Sequence, residues 1–140
     1  MRRLALAACL LTLPAAAACG DDTAGARRAA EGYVSTLGKR DGPATCARMT
    51  KGLQQQFVAA VARTDARFRG RPCQQVMQAA LDSISPAQLR NFARAKIENV
   101  AVSGDTGTFR YTVGNIRVDG KVAKENGDWK VSCCVPGTGG

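Results

Sequence analysis

The chain has 140 residues, six cysteines and a formal net charge of +9, and it contains no histidine. That composition excludes histidine-dependent acid-base pairs and the usual serine triad, and the length suits one core rather than two domains. Aromatic residues make up 5% of the chain and show no basic-aromatic interleaving of the kind that stacks bases, so no nucleic acid partner is expected.

At the N-terminus Arg2 and Arg3 precede an apolar run, Leu4 to Leu13, and then small residues, Ala15 to Ala18. This is the layout of a secretory signal, with an apolar stretch too short to span a bilayer comfortably. The run ends on Cys19, followed by Gly20, Asp21 and Asp22. The tetrad Ala16, Ala17, Ala18, Cys19 resembles the lipobox of bacterial lipoproteins, with alanine where that motif prefers leucine. The resemblance implies that residues 1–18 are a signal peptide, that Cys19 is acylated, and that the exported protein meets the membrane through that cysteine, on the outer face of the cell membrane. Cleavage at an ordinary Ala-x-Ala site is the alternative, and it leaves Cys19 as a thiol. Residues 19–23 read as a tether. Loss of Arg2 and Arg3 lowers the net charge from +9 to +7 over the remaining 122 residues. Outside the membrane the polyanions open to such a chain are anionic headgroups and cell-wall polymers.

The mature chain divides into a helical part and a strand-like part. Asp22 or Thr23 can cap a helix that runs to Leu37, with Ala30, Tyr33, Val34 and Leu37 on one face, and Gly38 stops it. Pro43 suits the first turn of a short helical piece carrying Cys46. Thr50 caps a helix with Leu53, Phe57, Val58 and Val61 as its stripe. Gly70 breaks that helix, Pro72 opens another with Cys73, Val76, Met77, Ala80, Leu81 and Ile84 inward, and Ser85 and Pro86 start a last one through Leu89 and Phe92. The arginine-rich stretch from Arg63 to Arg71 reads as a solvated loop and helix end. From Ile97 the period changes to two. "IENVAVS", "TGTFRYTV", "NIRVDGKVAK" and "DWKVSCCV" are separated by hairpin signals, which predicts an antiparallel meander of four strands. Phe109, Tyr111 and Val113 share one face, as do Ile116, Val118 and Val122, and as do Trp129, Val131, Cys133 and Val135.

The first helix with Tyr33, the segment "GKRDGPATCARMT", the hairpin "VAVSGDTGTFRYTV" and the closing "ENGDWKVSCCV" together resemble the NTF2-like (SnoaL-like) superfamily, and more narrowly the small bacterial lipoproteins of that type. The resemblance implies an α+β fold in which N-terminal helices pack on a curved antiparallel four-stranded meander to form a cone. It assigns residues 24–135 to that domain and leaves 136–140 as a flexible tail. Enzymes of the superfamily place Asp, His or Tyr inside the cone. Homodimers through the outer face of the sheet are common among its members, and oligomeric state stays open here.

Cysteine usage in a small exported domain reads as a disulfide framework. Cys9 leaves with the signal and Cys19 is the acylation site, so Cys46, Cys73, Cys133 and Cys134 remain. The favoured arrangement joins Cys46 to Cys73, with Cys133 and Cys134 bonded to each other or partly free. Crossed pairing, which ties helices to sheet, is the alternative. A metal site is not expected, because adjacent cysteines chelate one tetrahedral ion poorly and neither histidine nor a Cys-x-x-Cys spacing completes a set.

No catalytic residue, cofactor or phosphate-cradling loop is expected, since "PGTGG" has no helix behind it. Tyr33, Arg110, Tyr111, Asp119 and Trp129 are the candidate polar groups for a pocket. Two functions follow. One is a lipid-anchored, extracytoplasmic, non-catalytic module of the cell envelope that binds an apolar ligand or an envelope protein. The other is an NTF2-like isomerase or hydrolase using a cone-lining Asp or Tyr. A buried carboxylate with a raised pKa in an open pocket favours the enzyme, and a cone filled by Phe57, Phe92, Phe109, Tyr111 and Trp129 leaves a protein-interaction role.

Overall fold

The computed structural model describes the backbone of residues 16–133 and the side chains of residues 21–133. The apolar leader, the side chain of Cys19, Cys134, Val135 and the tail at 136–140 lie outside the described residues. Among the described residues, five helices, α1 (Ala16–Gly38), α2 (Gly42–Ala47), α3 (Lys51–Thr64), α4 (Cys73–Asp82) and α5 (Pro86–Ala93), are followed by four strands. These are β1 (Lys96–Ser103), β2 (Thr106–Val113), β3 (Ile116–Glu125) and β4 (Asp128–Cys133), and a single 3₁₀ turn at Ala66–Phe68 joins α3 to α4. The fold is therefore α+β, with helices first and one antiparallel sheet in the order β1-β2-β3-β4.

Local chemistry accounts for most boundaries. Asp41 accepts the Ala44 N–H and Thr50 accepts the Leu53 N–H, so α2 and α3 both start on a side-chain cap. Glu125, from the sheet, adds a second acceptor at the start of α3 by taking the Lys51 N–H at 3.0 Å. Ser85 and Gln88 form a capping box, with Pro86 in the first turn of α5. The start of α1 departs from expectation. Asp22 does not cap it, because its carboxylate reaches across to Lys124 at 2.7 Å, and the helix already runs through residues 16–21. The residues read as a tether, 19–23, are thus helical.

The core lies between the sheet and α1, which packs against all four strands, and it continues among the other helices. Ala26, Ala30, Tyr33, Val34 and Leu37 of α1 meet Phe109, Tyr111, Val122 and Val131 of the sheet, and Phe57, Val76, Met77 and Leu81 extend this cluster between α3 and α4. Gly120 sits directly under the Phe109 ring, so that any side chain there would collide with the ring. Both edges of the sheet are occupied at one point. Val131 exchanges backbone hydrogen bonds with Arg48 and Thr50, forming a parallel bridge at Met49, and Arg27 of α1 donates to the Ile97 carbonyl of β1 at 3.0 Å.

Two irregularities change the alternation that the sequence predicts. In β1 the register slips between Glu98 and Ala101, where Asn99 adopts a positive φ of 52°. In β4, Val131 pairs with Val122 but Cys133 pairs with Lys121, which makes Ser132 the extra residue of a bulge. Cys133 is consequently in register with an exposed lysine and does not continue the face of Val131, as strict alternation would have it. Ile116, expected inward, is 67% exposed, because it follows the Gly114–Asn115 turn at a hairpin tip where the core has ended.

Candidate functional site

The cysteines fix part of the frame. Cys46 of α2 and Cys73 of α4 are bonded, with Cα atoms 6.1 Å apart, and both are buried. This bond rules out crossed pairing of the helical cysteines with the sheet. Cys133 is also disulfide-bonded, to a partner that is not among the described residues. Among the described residues no cluster of His, Cys, Asp or Glu could hold a metal ion.

The five polar residues expected in a pocket are not brought together. Tyr33 and Tyr111 lie fully inside the core, near enough that ionisation of one would oppose that of the other. Neither hydroxyl has a hydrogen-bond partner among the described residues. Burial pushes both phenols up from their ordinary 10.0, which favours the neutral form of each. The other buried polar side chains contrast with them. Thr45 donates to the Asp41 carbonyl at 2.7 Å and lies 3.0 Å from the Thr36 hydroxyl, which itself donates to the Tyr33 carbonyl at 2.8 Å.

Arg110 and Asp119 form a cross-strand ion pair at 2.6 Å on the opposite, solvated face of the sheet, where Asp119 is 74% exposed. The guanidinium holds the Asp119 carboxyl below its ordinary 3.8. Beside the pair is a shallow hollow of about 430 Å³ that also includes Lys121. Trp129 lies elsewhere again, half-buried against Gly25 of α1, with the Lys124 ammonium 5.3 Å from its ring centre and Asp22 paired to that ammonium. The carboxyls whose acidity shifts, Asp22, Asp65 and Asp119, all shift downward beside a cation and remain ionised.

Of the five aromatic residues expected to fill an interior, four are buried and Trp129 is half-buried. Phe57, Phe92, Phe109 and Tyr111 are all buried, and the Phe109 and Tyr111 rings stack with centres 5.9 Å apart. A wider concavity lies on the helical side, in a stretch that reads from sequence as a solvated loop. It is an open groove of about 750 Å³ between the end of α3, the 3₁₀ turn and α4. Val61, Phe68, Val76 and Ala80 line it with apolar surface, and the exposed Arg67 and Arg71 line it as well. Arg67 is held in place by Asp65. Its Nε donates to both carboxylate oxygens at 3.0 and 3.1 Å and its Nη2 donates to Oδ2 at 2.6 Å, while the guanidinium carbon lies 5.9 Å from the centre of the Phe68 ring. Asp65 accepts the Arg67 backbone N–H as well, so the turn and the salt bridge specify each other. The signal for this groove in the sequence is Phe68, a single aromatic residue set between arginines.

Comparison of the chain with family models, with curated proteins and with solved structures gives no match.

Proposed function

We propose that this protein is a lipid-anchored, non-catalytic interaction module of the cell envelope, built on an NTF2-like cone whose interior has been filled. The reading rests on one observation above the rest. The aromatic residues that would border a reaction chamber are packed into a core, and the ionised carboxyls with shifted acidity all sit at the surface beside cations. Recognition is therefore assigned to the exterior. Helices followed by a four-stranded antiparallel meander, with α1 laid against every strand, support the superfamily assignment. Support for the anchor comes from the sequence of residues 1–22. No described helix is long and apolar enough to cross a membrane, so attachment in this proposal depends on acyl chains at Cys19.

The test combines two readouts on protein from native membranes. Intact mass, with thiols alkylated before and after reduction, is expected to show acyl chains on Cys19 and no alkylation of Cys46 or Cys73 until reduction. Photo-crosslinking groups placed at Ile116 on the sheet and at Arg71 by the groove are expected to trap an envelope protein from at least one face. An unacylated mass beginning at Cys19 overturns the anchor. Turnover of a small substrate by the purified protein overturns the non-catalytic reading.

A further inference from the structure

We infer that the groove between α3 and α4 docks a short acidic, amphipathic segment of another protein, inserting an apolar side chain while its carboxylates meet Arg71 and the free edge of Arg67. This rests on the interaction-module reading and names the surface and the partner chemistry.

Charge is the first argument. The groove carries Arg67 and Arg71, with Arg63 and Arg69 exposed in the same segment, against a single carboxylate, Asp65. That carboxylate does not oppose an acidic visitor strongly, because both of its oxygens are occupied by the Arg67 guanidinium, whose charge offsets its own. The Arg71 guanidinium has no ion-pair partner among the described residues. Preorganisation is the second argument. A guanidinium already clamped by Asp65 loses less side-chain freedom on meeting a second carboxylate than a free one does.

Shape selects among anionic partners. The groove between the two helices is lined by apolar side chains as well as by the arginines, a mixture that suits an apolar side chain projecting from an acidic peptide helix. A flat membrane surface would meet the exposed arginines and leave the concave apolar lining unfilled. A small molecule would be poorly enclosed, since the groove is open along its length, whereas small-ligand pockets bury most of their ligand.

The experiment uses the full chain and a fluorescein-labelled helical peptide with Leu and Glu repeated on one face. Controls are the same peptide with Lys for Glu, the same peptide with Ser for Leu, and phosphatidylglycerol vesicles. Saturable binding of the acidic peptide is expected, with amide shifts confined to residues 61–83. R71E should weaken it by about tenfold, as loss of a close charge pair does, and V61S and the Ser-for-Leu peptide should weaken it as well. R71A, a milder change at an exposed position, guards against misfolding, and circular dichroism should be unchanged in each variant. Binding that ignores R71E and R71A overturns the inference. Equal binding of the Ser-for-Leu peptide overturns it in favour of bare electrostatics, and binding to vesicles but to neither peptide overturns it in favour of a lipid surface. Absence of peptide binding with crosslinks persisting from Ile116 removes the groove and leaves the interaction module standing. Loss of both removes the two together.

Discussion

Tyr33 and Tyr111 are the two tyrosines of the chain, and both are buried, so phenolate absorbance reports on the core alone. Burial raises both pKa values, which means the unfolded chain releases these protons before the folded one does. The contribution is fully present below the ordinary value of 10.0 and is lost as the pH climbs past it. Native protein is expected to show no phenolate signal where free tyrosine is already ionised, and then both phenolates at once, together with loss of circular dichroism. Gradual ionisation near pH 10 in a still-folded protein would mean that water reaches the interior. The same hydroxyls make a second prediction. An unpartnered buried hydroxyl costs about 1–3 kcal/mol, so Tyr33→Phe and Tyr111→Phe are expected to leave the urea midpoint unchanged or raise it. A clear fall would show that each hydroxyl is satisfied in solution by something within the core.

Among the elements, the helices were the most legible, because caps announce themselves: Thr50, Ser85 with Gln88, and the prolines at 43 and 86 each stand where the helix begins. The start of α1 was not legible. Asp22 is a good cap by type, but Lys124, a hundred residues later, takes its carboxylate. The meander followed from alternation and from turn residues such as Asn126 and Gly127, whose positive φ values of 53° and 84° fit a two-residue hairpin. Its bulges did not, since nothing in "IENVAVS" or "WKVSC" marks Asn99 or Ser132 as an extra residue, and one inserted residue reverses every face after it. The staple between α2 and α4 gives the element-scale prediction. A sequence separation of 27 residues corresponds to about 3.5 kcal/mol in the chain-entropy account. A variant with Cys46→Ala and Cys73→Ala should therefore lose stability of that order in urea unfolding, with the Cys133 bond left intact. A loss below about 1 kcal/mol would show that the helical layer is held by packing alone.

At the scale of the whole molecule, the residues singled out from the sequence scatter to the core, the outer sheet and the Trp129 corner. The groove is assembled from Val61, Phe68 and Val76, whose proximity depends on how α3 folds back onto α4. Residue type alone could point to Tyr33 or Asp119 but could not say that one faces inward and the other outward on different elements. The Cys46–Cys73 bond has a further result for this surface. Arg63, Arg67, Arg69 and Arg71 are exposed and all lie within the ring that this bond closes. A trypsin-like protease cutting after Arg63, Arg67 or Arg69 (Pro72 protects the bond after Arg71) severs the polypeptide without releasing a fragment, because α2 and α4 stay covalently joined across the cut. Nicked protein is expected to migrate as one species without reductant and as two with it. The two walls of the groove would then belong to different peptides held together by the Cys46–Cys73 bond.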